Sequence, residues 1–143
     1  MKITYILSWV VIVGLTSVML LFGFWMLYPY NPVTFNDPVY PILNEGKIAT
    51  QGGILKYEVD YCKYVKQVPE VSKKYVDGIV YDTPGSRGVV FQGCRVQVVD
   101  NIVPDTLFPG EYYMDIEIDY QMNPLRHVIY NNRTEKFTVL AKE

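Results

Sequence analysis

Histidine is almost missing from this chain of 143 residues: His127 is the only one. Cysteine is scarce as well, with Cys62 and Cys94 alone. Neither lies in a CxxC pair, which removes the usual dithiol redox motif. Two cysteines and one histidine also cannot build a structural zinc scaffold. A blue-copper site usually takes two His, one Cys and a Met, so Met122 beside His127 is too little. A Ser–His–Asp triad would depend on His127 by itself. Positive charge is not in surplus: 13 Lys and Arg against 15 Asp and Glu give a net charge of −2. Such a chain carries no electrostatic footprint for nucleic acid. Helical periodicity is missing after residue 30, and so are internal repeats and low-complexity runs.

Charge is missing altogether from residues 3–36. Within that stretch, residues 6–27 read ILSWVVIVGLTSVMLLFGFWML, a run of 22 without an ionisable group. As a helix it would be about 33 Å long, enough for a hydrocarbon core of about 30 Å. Tyr5 and Trp9 stand near one end and Trp25, Tyr28 and Tyr30 near the other, suiting two headgroup layers. A cleaved signal peptide has a shorter apolar core that ends in small residues. Here the run ends in the bulky sequence FWMLYP, so an uncleaved anchor is expected. Lys2 precedes the helix and Lys47 is the next basic residue, so the positive-inside rule places the N-terminus in the cytoplasm. The expected location is therefore a single-pass membrane protein with an extracytoplasmic C-terminal part.

Four of the nine prolines fall in residues 28–41. Proline fixes φ and biases its predecessor to extended backbone. Residues 31–45 are accordingly expected to be a stiff stalk or an edge strand, holding the domain within roughly 40 Å of the bilayer. From residue 46 onward the pattern has period two. Leu55, Tyr57, Val59 and Tyr61 alternate with Lys56, Glu58, Asp60 and Cys62. Residues 75–81 read as a second strand with a bulge at Gly78, and 82–88 as a turn. Residues 89–99 are apolar and β-branched. Tyr112, Met114, Ile116, Ile118 and Tyr120 alternate with Tyr113, Asp115, Glu117 and Asp119, the cleanest strand pattern in the chain. The chain turns at 122–125, returns through 128–130, turns again at Asn131 and Asn132, and ends on the alternation of Phe137, Val139 and Ala141. About seven short strands separated by Gly and Pro turns predict an all-β antiparallel sandwich. The expected organisation is 1–30 anchor, 31–45 stalk or edge strand, and 46–143 β-sandwich domain.

One local pattern sharpens the fold. Residues 107–113, LFPGEYY, precede the alternating strand. This resembles the corner before strand F of immunoglobulin-like and fibronectin type III domains, where a Tyr hydroxyl bonds back to the loop backbone. Parity assigns the corner to Tyr112, with Tyr113 as the alternative. The resemblance is architectural and implies an immunoglobulin-like β-sandwich behind one transmembrane helix. The antibody-type Cys two residues after the corner is replaced by Met114, and both Trp lie in the apolar helix.

Several residues invite a chemical reading. Cys62 and Cys94 are disulfide candidates if the domain is exported. Parity places Cys62 outward and Cys94 with Val96 and Val98, so a bulge near Gly93 would be needed to join them. Asp115, Glu117 and Asp119 form an acidic stripe about 7 Å from one carboxylate to the next. A solvated strand face paired with Lys56 or Arg95 explains it without catalysis. Lys63, Lys66, Lys73 and Lys74 surround a short segment that reads as a soluble loop. Tyrosine is over-used, 13 in all, and Tyr64, Tyr113 and Tyr130 are candidates for an exposed recognition surface. Asn132-Arg133-Thr134 is a glycosylation sequon in the expected turn.

No nucleophile, base and acid come together in the sequence, and no cofactor or metal motif is present. The expectation is a non-catalytic membrane-anchored module for protein recognition or envelope assembly, its partner a protein in the same membrane or envelope. A tethered small-ligand or carbohydrate-binding domain is the alternative.

Overall fold

The computed structural model describes residues 2–28, 30–77, 80–87 and 91–142, with side chains described at 4–28, 30–77, 81 and 91–142. One N-terminal helix, α1 (Lys2–Leu27), precedes a part built almost wholly of strands. Apolar residues occupy every side of α1, and its span Thr4–Leu27 is long and apolar enough to cross a membrane. None of that span is buried against the strands. Two hydroxyls in its middle bond back to the helix: Thr16 Oγ1 donates to the Ile12 carbonyl at 2.7 Å and Ser17 Oγ to the Val13 carbonyl at 2.8 Å. That back-bonding leaves no side-chain donor facing outward at those positions.

The strands form two sheets. The smaller has the order β1 (Val33–Phe35), β4 (Ile54–Lys63), β7 (Gly93–Ile102), all antiparallel. The larger is centred on β8 (Gly110–Asn123). On one side β8 pairs with β5 (Glu70–Val76), which in turn pairs with β6 (Val80–Arg87) at the edge. On the other side it pairs with β9 (Arg126–Thr134) and, nearer its start, with β10 (Phe137–Leu140). The outer strands β2 (Val39–Tyr40) and β3 (Ile48–Thr50) pair with β9 and β10 respectively. Both of these short pairings are parallel, which the expectation of an antiparallel arrangement did not include.

Alternation decides which faces are buried. Leu55, Tyr57, Val59 and Tyr61 of β4, and Tyr112, Met114, Ile116, Ile118 and Tyr120 of β8, belong to one core cluster. Each such side chain, taken out of water, contributes roughly 1.5–3 kcal/mol. Tyr40 stacks on Tyr57 with ring centroids 6.0 Å apart, joining the outer strand β2 to β4. Tyr75, Tyr112 and Phe137 pack on one another at 6.1–6.5 Å and close the far end.

Several local expectations need correction. The segment read as one strand over 75–81 is the hairpin of β5 and β6; Gly78, the expected bulge, lies outside the described residues. The turn-like residues 82–87 are strand β6, tolerated because Pro84 sits on an edge that needs no second partner. The register slips there, since Val71 pairs with Ser86 while Lys73 pairs with Thr83, and the extra residue falls in the Pro84-Gly85 stretch. Asn131 and Asn132 do not turn the chain but continue β9. The proline-rich stretch needs no such correction, since part of it takes the expected edge-strand alternative. Val33–Phe35 and Val39–Tyr40 are strands, and Val33 is core. Only 28–32 separates helix from sheet.

Candidate functional site

The two sheets part on one side. There β7 has no further neighbour among the described residues, and a slot of about 430 Å³ opens between its inner face and β5. That volume lies in the range of small-molecule sites. Tyr57, Val59, Tyr61 and Lys63 of β4 form one wall. Ile116, Ile118 and Tyr120 of β8 form the other. Val71 and Lys73 of β5 border the mouth opposite Gln97 and Val99 of β7. Val33 and Phe35, which open the sheet after α1, also line it.

This apolar slot holds two ammonium groups and, among its described lining residues, no carboxylate. Lys63 continues the inward parity of Leu55 to Tyr61 and is 2% exposed. Its Nζ lies 5.9 Å from the Tyr120 ring centroid, within reach of a cation–π attraction. Lys73 shares the inward face of β5 with Val71 and Tyr75. Its Nζ donates to Asn101 Oδ1 at 2.7 Å and lies 5.7 Å from the Tyr57 ring centroid. Burial lowers the pKa of both lysines from the ordinary value, because desolvation disfavours the charged form. The Tyr61 hydroxyl donates to Gln97 Oε1 at 3.1 Å, tying the inner faces of β4 and β7. Arrangements of this kind hold an apolar body and fix its orientation at a few polar points.

The soluble lysine loop of the sequence reading therefore does not exist as one unit. Lys66 is exposed, while Lys63 and Lys73 point between the sheets. The missed signal was parity, since Lys63 falls two residues after Tyr61.

Cys62 and Cys94 are directly opposite in the β4–β7 register and are joined by a disulfide. The pairing runs from Ile54↔Ile102 to Lys63↔Gly93 without a slip, so no bulge is involved. The mistaken step was the face of β7. Val96 and Val98 point outward, 57% and 49% exposed, and Cys94 shares that outer face with them.

Tyr112 is buried, and its hydroxyl donates to the Phe108 carbonyl at 2.8 Å. Burial, with the neighbouring Asp77 carboxylate, pushes its pKa up to about 12. Tyr113 takes the opposite face of β8 and is partly exposed. Tyr64 is half exposed and its hydroxyl shares a 3.1 Å hydrogen bond with Thr34 Oγ1. Tyr130 packs inward against Phe35 at 5.5 Å and Tyr120 at 6.3 Å. Tyr113 and Tyr130 thus lie on opposite faces of their sheet, and the three tyrosines form no common recognition surface.

Asp115, Glu117 and Asp119 lie on the outer face of β8. Their strand neighbours are on β5 and β9, with Lys74 and Arg133 opposite Asp115, and not Lys56 or Arg95 of the other sheet. His127 Nδ1 lies 3.1 Å from Asp119 Oδ2. No group of three metal-binding side chains occurs among the described residues. The sequon is engaged in the fold: Asn132 Nδ2 donates to the Tyr40 hydroxyl at 2.7 Å, and Thr134 Oγ1 accepts from the Met114 amide at 2.9 Å.

No family model and no curated protein sequence matches the chain. Among solved structures, it is similar to the crystal structure of a CARDB domain from Pyrococcus furiosus in complex with di-metal ions. The two share 15% identity over 79% of this chain and 91% of that one, with a TM-score of 0.34. That neighbour has an immunoglobulin-like β fold.

Proposed function

We propose that this is a single-pass membrane protein that holds an immunoglobulin-like β-sandwich at the outer face of its membrane as a non-catalytic binding module, and that the slot between the sheets is its ligand site. Three features support the reading. The span Thr4–Leu27 has 24 residues, about 36 Å of helix, which exceeds a hydrocarbon core of about 30 Å. Lys2 precedes that span and Lys47 is the next basic residue, favouring a cytoplasmic N-terminus. The chain needs only 28–32 to reach β1, so the domain stays within roughly 20 Å of the helix end.

The slot carries the functional reading. Val71 and Val99 pack against the core cluster from its rim, and with Gln97 they also line an opening between the sheets. The direct test is photolabelling of the full-length protein in its membrane with a neutral long-chain alcohol bearing a mid-chain diazirine. Adducts should map to β4 and β8 and should disappear in Ile118→Trp, which fills the slot. Adducts confined to α1 would exclude the slot as a ligand site. Carbonate washing should leave the protein in the membrane, and external protease should remove the strands; a soluble form beginning near Tyr30 would mean that α1 is a cleaved leader.

A second reading, protein recognition, draws on the outer face of the smaller sheet. Ile54 pairs with Ile102 there, and Val96 and Val98 continue the exposed apolar row. This row suits a protein partner in the same membrane or envelope. Crosslinking from Val98 in whole membranes tests it.

A further inference from the structure

We infer that the domain rests on the phospholipid surface of the membrane that holds α1, seated by the end of the sandwich at which α1 enters. Lys66 and Arg126 meet the lipid phosphates there, and Val68, Phe91 and Leu125 meet the upper part of the acyl chains. The inference rests on the membrane-anchor reading above and adds the orientation of the domain and the residues that set it.

Its first support is topology. Four stretches of described chain meet at one end of the sandwich: the linker 28–32, the β4–β5 loop 64–69, residues 91–92 just before β7, and the β8–β9 turn at 124–125. They are tied to one another. The Tyr64 carbonyl accepts from the Tyr30 hydroxyl at 3.4 Å and from Gln92 Nε2 at 3.0 Å. Asn123 Nδ2 donates to the Trp25 carbonyl of α1 at 3.4 Å. Asn123 Oδ1 accepts from the Leu125 amide at 2.9 Å, which holds the turn. This end is therefore one built surface around the terminus of α1.

Its second support is depth. Trp25 stands two residues before the end of α1. A span of 24 residues, about 36 Å, overruns a hydrocarbon core of about 30 Å, so its last residues enter the headgroup layer. Trp25, Tyr28 and Tyr30 are the residue types that favour that layer. The β8–β9 turn, bonded to Trp25, is held at the same level and cannot stand clear of the lipid.

Its third support is chemistry. In the β4–β5 loop Val65 and Pro69 are buried, which leaves Lys66 and Val68 outward. Val68, Phe91 and Leu125 are 40%, 62% and 48% exposed. Among the described residues 64–69, 91–95 and 122–126 the charged side chains are Lys66, Arg95 and Arg126, all cationic. The Arg95 guanidinium lies 4.7 Å from the Phe91 ring centroid, so an apolar ring and a charge are presented together. Apolar tips among cations match a surface that carries phosphate over hydrocarbon. At the opposite end Phe108 is as exposed, but its sequence neighbourhood holds Asp105 and Glu111.

The experiment uses the full-length protein in vesicles of phosphatidylcholine and phosphatidylglycerol, with an environment-sensitive fluorophore on one introduced cysteine. Cys62 and Cys94 are bonded and do not take the label. The variants are Val68→Cys, Leu125→Cys, Phe108→Cys and Ser17→Cys, and the quenchers are nitroxide lipids. With the nitroxide near the top of the acyl chain, the Val68 and Leu125 sites should lose more than half of their emission and the Phe108 site almost none. With the nitroxide at the chain end, the Ser17 site should be quenched most, because it lies near the middle of the span. Lys66→Glu and Arg126→Glu together should release most of the quenching at the Leu125 site, while unchanged emission at the Phe108 site shows that the fold is intact. An unquenched Ser17 site would overturn the membrane-anchor reading. A quenched Ser17 site, with the Val68 and Leu125 sites as bright as Phe108, would overturn the seating alone. Equal quenching at the Phe108 and Leu125 sites would overturn the choice of this end. Quenching that survives the charge reversal would overturn the role of the two cations.

Discussion

β7 and β8 look alike in sequence and differ in what they bury. Both carry apolar residues at every second position. In β8 these residues, Tyr112 to Tyr120, are all buried. In β7 the apolar residues Val96 and Val98 face outward, and the inward set is Arg95, Gln97 and Val99, none of it fully buried. The difference is one of position. β8 has strands on both sides and faces the other sheet along its length, whereas β7 is an edge whose inner face borders the slot. An alternating strand therefore shows that two faces differ, while its neighbours decide how dry either face becomes.

Substitutions can break that contrast. The largest effect is expected at the centre of β8. Met114→Ala should cost about 2–5 kcal/mol, as for other buried large-to-small changes. Val98→Ala, on the exposed face of β7, should stay within about 0.5 kcal/mol. Urea midpoints of the full-length protein in mild detergent, followed by tyrosine circular dichroism, would compare them; similar losses would mean that the two strands are equally buried.

Next in size is the disulfide, the covalent link of β7 to the rest of its sheet. Replacing Cys62 and Cys94 together by Ser should lower stability by about 2–4 kcal/mol, mainly by freeing the unfolded chain. The β4–β7 amides should also exchange faster with deuterium than those of β8. An unchanged exchange pattern would show that backbone pairing alone secures the edge.

A smaller effect is expected from one hydroxyl. Tyr112→Phe leaves the Phe108 carbonyl without its donor and should cost about 1–3 kcal/mol. Tyr113→Phe, on the other face, should cost within about 0.5 kcal/mol. Equal midpoints would remove the corner as a structural device.

Alkaline titration sharpens the same contrast, since buried tyrosines cluster between β4, β5 and β8. Burial pushes Tyr75, Tyr112 and Tyr120 up to about 12 and raises Tyr40 and Tyr57 as well. In the unfolded chain they lose protons near 10. The folded state then holds more protons, so this stabilisation is complete below about pH 10 and is lost between about 10 and 12. The lowered lysines act in the opposite sense over their own range. With more tyrosines than lysines shifted, the midpoint should fall on raising the pH from 9 to 11. A rising midpoint would mean that the lysines dominate.

The sequence made β4 and β8 legible because each is flanked by turns and buries one unbroken alternating row. The apolar helix was legible from length and the absence of charge. Lys63 was also legible in principle, as the next inward position after Tyr61. The remainder depended on tertiary context. The residues of β6 look like turn formers because an edge strand accepts Pro84 and a register slip. Val96 and Val98 look like core because apolar character does not specify which sheet face receives a cover. Asn132 and Thr134 read as an exposed sequon, yet their side chains are committed to Tyr40 and Met114. The slot itself depends on the distance between sheets, which no local pattern encodes.

The short β1 strand has a mechanical consequence. If α1 is held in a bilayer, any drag on the domain enters the fold through the three residues of β1, which pair with Lys63, Cys62 and Tyr61 of β4. The Tyr64 amide adds a hydrogen bond to the Pro32 carbonyl at 2.9 Å. Load arriving at Cys62 crosses to β7 through sulfur as well as through the strand ladder. Pulling therefore strains β4 and β7 as one tethered plate, and the first hydrogen bonds to give way are those between β1 and β4.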